Sequence, residues 1–255
     1  MSMKVIILGS GTITPSLERS ASAVFTRDGQ TNLLIDIGPG VMKRLTEAGV
    51  SLTDVSHLFI THFHPDHTGE LASFIFANKY GGAYRNKKLT LIGGDGITTF
   101  FNNLKTVYGK WIEFDASLFQ IVELPMEKFY ALSLGNLAIN TTPADHNPES
   151  LSIKVTDSEG FSFVYSGDTD YNENLVELAM NAHMLISECA MPDDKKIKGH
   201  MTPTLAGETA RKANVGKLIL THLYPESDES DIVSKAASIF KGTVFKAFDL
   251  MQFDF

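Results

Sequence analysis

Ile60-Thr61-His62-Phe63-His64-Pro65-Asp66-His67-Thr68-Gly69 packs three imidazoles and a carboxylate into six residues. It follows Leu58-Phe59-Ile60, an apolar run that reads as a buried strand over 57–61. In an extended segment His62 and His64, two apart, point to one side. Pro65 keeps His64 extended and stops strand pairing, so Asp66 and His67 face another direction. One short segment can therefore serve two metal ions, with imidazole nitrogen for zinc-like ions and carboxylate oxygen beside it. A lone histidine at a strand end is ordinarily a satisfied polar residue. Four ligand-type side chains together are required by no structural rule, and they point to metal.

Composition sets the outer limits. The 255 residues are 43% hydrophobic and 20% charged, ordinary for a soluble globular protein. No linker or composition break divides them, so a single domain over 1–255 is expected. The formal charge of −8 disfavours long nucleic acid, whose binding requires cations that displace counterions from phosphates. The basic clusters Arg85-Lys87-Lys88 and Lys195-Lys196-Lys198 read as solvated loops. No apolar run is long enough for a membrane span, and Met1-Ser2-Met3-Lys4 leads into a strand rather than a signal peptide. The single Cys189 excludes an intramolecular disulfide and agrees with a reducing compartment, so the expected location is cytoplasmic.

Along the chain, strands are expected at 4–8, 22–26 and 32–37, with Asp28-Gly29 as the hairpin signal between the last two. The loop Gly9-Ser10-Gly11 opens no helix and lacks dinucleotide spacing, so it is not a phosphate cradle. Asp36, leaving a buried strand, needs a partner in the metal loop or among backbone amides. Helices follow at 41–48, 70–77, 97–107, 203–214 (with Thr202 as N-cap) and 229–240. Further strands are expected at 89–92, 119–124, 137–141, 151–155, 161–165, 184–187, 217–220 and 243–248. The aromatic segment holding Tyr108, Trp111 and Phe114 reads as core first and as substrate-pocket lining second.

Several of these strands deliver a ligand-type residue at their ends: His146, Asp168 in Ser166-Gly167-Asp168-Thr169, and His222. Each alone would ordinarily be a cap or surface residue. Their shared context, an apolar run then His or Asp then a turn, completes the set that the box at 62–67 leaves short. Small neighbours let Asp168 approach two ions and bridge them. The pattern predicts two sheets sandwiched between helices, with the site at one edge.

Thr61-His62-x-His64-x-Asp66-His67, the later His146, Ser-Gly-Asp168-Thr and Leu-Thr-His222 together resemble the metallo-β-lactamase superfamily of dinuclear hydrolases. The resemblance implies an αββα sandwich and two divalent ions, zinc first, with manganese or iron also admitted by the mixed ligands. It assigns His62, His64 and His146 to one ion and Asp66, His67 and His222 to the other, with Asp168 bridging. Lactamases proper often carry Cys where Asp168 stands, so a typical β-lactamase is not expected. Nearly the whole chain is similar to ribonuclease Z and its phosphodiesterase-like relatives, including Leu8-Gly9-Ser10-Gly11 through Pro15 and Arg19, and Leu34-Ile35-Asp36. Ser187-Glu188-Cys189-Ala190 and Gly199-His200-Met201-Thr202 resemble variants of two further segments of that family. They imply a non-ligand catalytic His200 oriented by Glu188. The same resemblance implies homodimers.

Ribonuclease Z inserts its tRNA-gripping arm between the residues matching His146 and Asp168. Here these stand 22 positions apart, filled by an expected hairpin. The expected function is therefore hydrolysis of a small phosphodiester by a metal-bridging hydroxide, with Asp66 as candidate proton acceptor and His200 stabilising the oxyanion or protonating the leaving group. The rivals are tRNA 3′ processing, a lactonase or thioesterase on the same site, and a non-catalytic metal-sensing module. His57 and His183 read as structural, and Cys189 as a buried neighbour of the site rather than a nucleophile.

Overall fold

A computed structural model describes residues 3–82 and 85–255; Met1 and Ser2, at the start of the segment read as leading into a strand, lie outside them. The first half runs β1 (Lys4–Gly9), β2 (Ala23–Asp28), β3 (Thr31–Ile35), α1 (Val41–Glu47), β4 (His57–Ile60), α2 (Pro65–Thr68), α3 (Leu71–Tyr80), β5 (Leu89–Gly93), α4 (Ile97–Tyr108) and β6 (Phe119–Glu123). The second half begins with β7 (Tyr130–Leu134), β8 (Leu137–Pro143), β9 (Leu151–Thr156), β10 (Ser162–Tyr165), α5 (Glu173–Ala179), β11 (Met184–Glu188) and α6 (Pro203–Lys212). It closes with β12 (Lys217–Thr221), α7 (Pro225–Asp228), α8 (Ile232–Phe240), β13 (Thr243–Lys246) and β14 (Met251–Asp254).

The strands form two seven-stranded sheets, β14-β1-β2-β3-β4-β5-β6 and β13-β12-β11-β10-β9-β8-β7. Alternation sorts each strand's side chains into two layers. In β1, Val5 and Ile7 enter the core between the sheets, where they meet Leu137, Ile139, Ile153 and Phe163 of the second sheet. Ile6 and Leu8 turn the other way, onto α1, α3 and α4 through Val41, Leu45, Phe74 and Phe101. The second sheet is covered likewise by α5, α6 and α8 through Leu175, Ala206 and Ala236. This is the αββα sandwich.

Most strand and helix positions follow the sequence, and the differences have local causes. The last expected helix starts at Ile232 instead of 229, where Asp231 accepts from Ser234 N and caps it. The expected strand over 243–248 ends at Lys246, and a further strand, β14, turns back to pair antiparallel with β1. Residues 130–134 and 173–179 carry weak periodic signals and form β7 and α5. Arg85 is buried rather than solvated, with its Nη2 donating to the Leu52 carbonyl at 2.9 Å. The aromatic segment is not core throughout. Tyr108 and Trp111 are 47% and 51% exposed, and Trp111 meets Phe76 and Tyr80 edge-on in an outer groove.

Candidate metal centre

β4 is buried between its parallel neighbours β3 and β5 and stops at Ile60. Beyond it the chain is held by Asp36, whose Oδ1 accepts from Thr61 N at 2.8 Å. The Thr61 hydroxyl donates to the same carboxylate, 2.9 Å from Oδ2. His64 is extended (φ −60°, ψ 148°) and Pro65 occupies the first turn of α2. Asp66 and His67 thus leave on a one-turn helix instead of a continued strand, which is the physical form of the expected change of direction. Gly38 lets that helix settle, since a Cβ there would lie 1.7 Å from the Asp66 carbonyl oxygen.

The structure brings all seven sequence-derived ligand candidates together. His62, His64, His146 and Asp168 each offer an atom within 4.8 Å of the others, as do Asp66, His67 and His222. Asp168 lies between the sets: its Oδ2 is 3.6 Å from His62 Nε2 and 3.3 Å from His222 Nε2, and its Oδ1 is 3.2 Å from His67 Nε2. Asp66 Oδ2 lies 3.4 Å from His222 Nε2. His222 itself has φ 55°, a left-handed backbone uncommon for histidine and typical of strained functional positions.

Which ring nitrogen is engaged tests whether metal fits. His62 Nδ1 lies 3.1 Å from Thr61 Oγ1, His67 Nδ1 lies 2.8 Å from Asp36 Oδ2, and His146 Nδ1 lies 3.0 Å from the Gly199 carbonyl. The opposite nitrogens of His62 and His67 are buried without a hydrogen-bond partner, and so are both ring nitrogens of His222 and Oδ1 of Asp168. Orphaned buried atoms of this kind are costly unless something binds them. Imidazoles anchored through one nitrogen with the other aimed inward are the usual arrangement of metal ligands. The donor set fits divalent metal.

The charges agree. Burial drives the His62 pKa well below the ordinary range, reinforced by the neighbouring imidazoles, so it is a neutral nitrogen donor. Burial alone would raise Asp168, but His222, His67 and His62 hold it well below the usual carboxylate range. His67 moves the other way: burial opposes its charge, yet Asp168 and Asp36 raise its pKa well above normal.

His200 borders this cluster, its Nδ1 3.1 Å from Glu188 Oε1 and 4.0 Å from Asp168 Oδ2. Glu188, at the end of β11, is 1% exposed and accepts Thr169 N at 2.6 Å. Burial would lower the His200 pKa; the Glu188 hydrogen bond and charge, with Asp168 and Asp66 behind them, override it and raise it to about 9. The same burial raises Glu188, and His200 opposes that. Lys196, expected to be solvated, is paired with Asp170 Oδ2 at 2.6 Å. That oxygen also accepts Gly199 N, which fixes the turn carrying His200.

The sequence flagged Asp36 as a carboxylate needing a partner in the metal loop or among backbone amides, and it meets both, in His67 and in Thr61 N; it missed Asn147. The Asn147 side-chain nitrogen lies 3.0 Å from His64 Nε2, and His64 Nδ1 lies 3.3 Å from His146 Nε2. An asparagine after a histidine in a turn carries no pattern that would reveal this.

A family model described as Anti-Pycsar protein Apyc1 matches residues 3–239. The chain belongs to the Apyc1 family. This Apyc1-family chain is 28% identical to the uncharacterized protein Rv1339 of Mycobacterium tuberculosis over 247 residues, covering 96% of this chain and 89% of the relative. It is 26% identical to a ribonuclease Z of Archaeoglobus fulgidus, covering 100% of this chain and 98% of that enzyme. The crystal structure of the metallo-β-lactamase fold protein YhfI from Bacillus subtilis superposes with a TM-score of 0.86 at 24% identity, covering 100% of both chains. The fold is thus the metallo-β-lactamase sandwich. Among the described residues no helix is long and apolar enough to cross a membrane.

Proposed function

We propose that the protein is a dinuclear metal-dependent hydrolase that cleaves a small phosphodiester. The observation that carries this is the pairing of two ligand clusters joined by Asp168 with a cationic His200 on their border. When bound, a pair of divalent ions supplies an acidified water and neutralises charge at phosphorus. His62, His64 and His146 would hold one ion, and Asp66, His67 and His222 the other, with Asp168 shared. Zinc suits the imidazole-rich set, and manganese or iron suits its carboxylates. Asp66 lies on the cluster with an ionised carboxylate: burial would raise its pKa, but His222 and His67 lower it. It is the group placed to accept a proton from the attacking water. His200, kept protonated by Glu188, donates to the oxygen that leaves phosphorus.

A phosphodiester is favoured over a lactone or thioester because alkoxide departure from phosphorus profits most from a positioned acid. A small substrate is favoured over tRNA because residues 147–167 hold only the β9–β10 hairpin and the chain carries −8. As an Apyc1-family member, the protein is proposed to exert the anti-Pycsar role in the family's name through this hydrolysis. The test is a panel of bis-p-nitrophenyl phosphate, a lactone and a thioester offered to metal-loaded protein. Phosphodiester turnover is expected; activity on the lactone or thioester alone would overturn the reading, and so would no turnover across a broad screen, which would leave a metal-sensing module.

A further inference from the structure

We infer that Asn147 is the positioning residue for His64, its carboxamide oxygen accepting a hydrogen bond from Nε2–H so that Nδ1 is presented to metal. The inference rests on the reading of the cluster as a metal centre, not on the identity of the substrate. His64 differs from its neighbours in the ring atom it turns inward. His62, His67 and His146 are anchored through Nδ1 and present Nε2. His64 brings Nδ1 to 3.3 Å from His146 Nε2, so its outward atom is Nε2. A nitrogen that binds metal carries no proton, so the proton of a neutral imidazole must then sit on Nε2. The Asn147 amide is the only side-chain partner found there among the described residues, at 3.0 Å.

The amide nitrogen now faces Nε2, which matches a directional chain from Asn147 through His64 and His146 to the Gly199 carbonyl. The Nε2–H tautomer needs the amide oxygen instead. Half a turn about the terminal torsion exchanges the two ends, and that torsion is soft. Nothing resists the exchange, because the Asn147 side chain makes no other hydrogen bond among the described residues. Its backbone, by contrast, is fixed: Asn147 N donates to Ser150 Oγ and Ser150 N donates to the Asn147 carbonyl, both at 3.0 Å. One turn at the end of β8 thus supplies a ligand, His146, and the anchor of another, His64, which comes from the opposite sheet. Asp36 anchors its histidine from a fully buried position, whereas Asn147 is only half-buried.

The experiment is titration of chelator-stripped protein with Zn²⁺ against an indicator, with Co²⁺ absorption as the spectroscopic readout. Wild type is expected to take up two equivalents. Asn147→Leu keeps the approximate size and removes the acceptor. It should weaken one equivalent about 10–100-fold, leave the other unchanged and alter the Co²⁺ band of the weakened site. Asn147→Asp retains an acceptor and should bind like wild type. Unchanged affinity for both ions in Asn147→Leu overturns the inference alone, and so does equal weakening in the Leu and Asp variants. A wild type that binds no metal would instead overturn the reading of the centre, and this inference with it.

Discussion

Asp36 ends its strand with φ 64° and no exposed surface. It accepts from Thr61 N, the Thr61 hydroxyl and His67 Nδ1. Thr61 in turn meets His62 Nδ1. One carboxylate therefore orients a candidate ligand from each cluster. Asp36→Ala leaves these donors buried and unsatisfied, each costing about 1–3 kcal/mol. A clear fall in the thermal midpoint is expected, with weaker metal uptake at both positions. His200→Ala touches no proposed ligand's anchor. It should lower kcat on a phosphodiester about 10²–10⁴-fold while metal content by elemental analysis stays at the wild-type level. Loss of metal in that variant would make His200 a ligand, as its place in the third possible donor group with Asp168 and His222 allows.

The elements around the centre are held by contacts far apart in sequence. Gly38→Ala would drive a methyl group into the Asp66 carbonyl and displace α2. Overpacking of this kind costs about 1–3 kcal/mol. The expected result is reduced stability together with reduced metal affinity, measured by thermal unfolding and by titration. The loop between β1 and β2 is pinned to α7 by Arg19, whose Nε and Nη2 each lie 2.8 Å from the Asp228 carboxylate. Arg19 foremost, with Lys246 adding to it against some desolvation, lowers the Asp228 pKa to about 2. A depressed carboxylate stabilises the fold above its unfolded pKa of about 3.9 and loses that contribution as pH falls towards about 2. The carboxylate is a third exposed, so screening reduces the effect to about 1 kcal/mol or less. Asp228→Asn should therefore be less stable than wild type near neutrality and converge with it in acid, as unfolding curves across that window would show.

At the scale of the whole molecule, the candidate ligands come from both sheets and join them at one edge. Metal that binds only the folded chain stabilises it by about 4.1 kcal/mol at a thousandfold excess over Kd. For a protein of this size that corresponds to a drop of about 8–16 °C in Tm on chelation, followed by scanning calorimetry. An unchanged Tm would argue against a shared centre. The net charge of −8 and the short hairpin between His146 and Asp168 also predict that precursor tRNA is neither retained nor processed at physiological salt. Filter binding would measure the first and gel analysis the second.

The sequence by itself determined the sandwich and which ligand-type side chains gather at its edge. Alternating apolar runs fix which faces are buried, and ligand-type residues placed just beyond those runs have no other reason to recur. His62, His64, Asp66, His67, His146, Asp168 and His222 were legible because each is tied to a local pattern. The partners that aim them were legible only in part: Asp36 stood out as a carboxylate needing a partner in the metal loop or among backbone amides, but not the ring it meets, and Asn147 and the Gly199 carbonyl carried no signal. Asp36, Asn147 and the Gly199 carbonyl act on residues 31, 83 and 53 positions away. β7 and α5 were missed for want of periodic signal, and Trp111 proved exposed where composition suggested core. The ring orientation of His64 against His146 and Asn147 depends on how the two sheets approach each other; the pairing of His200 with Glu188, implied by the family resemblance, is made within the second half of the chain. Periodicity records what a residue does within its own element; the contact made across elements belongs to the tertiary structure.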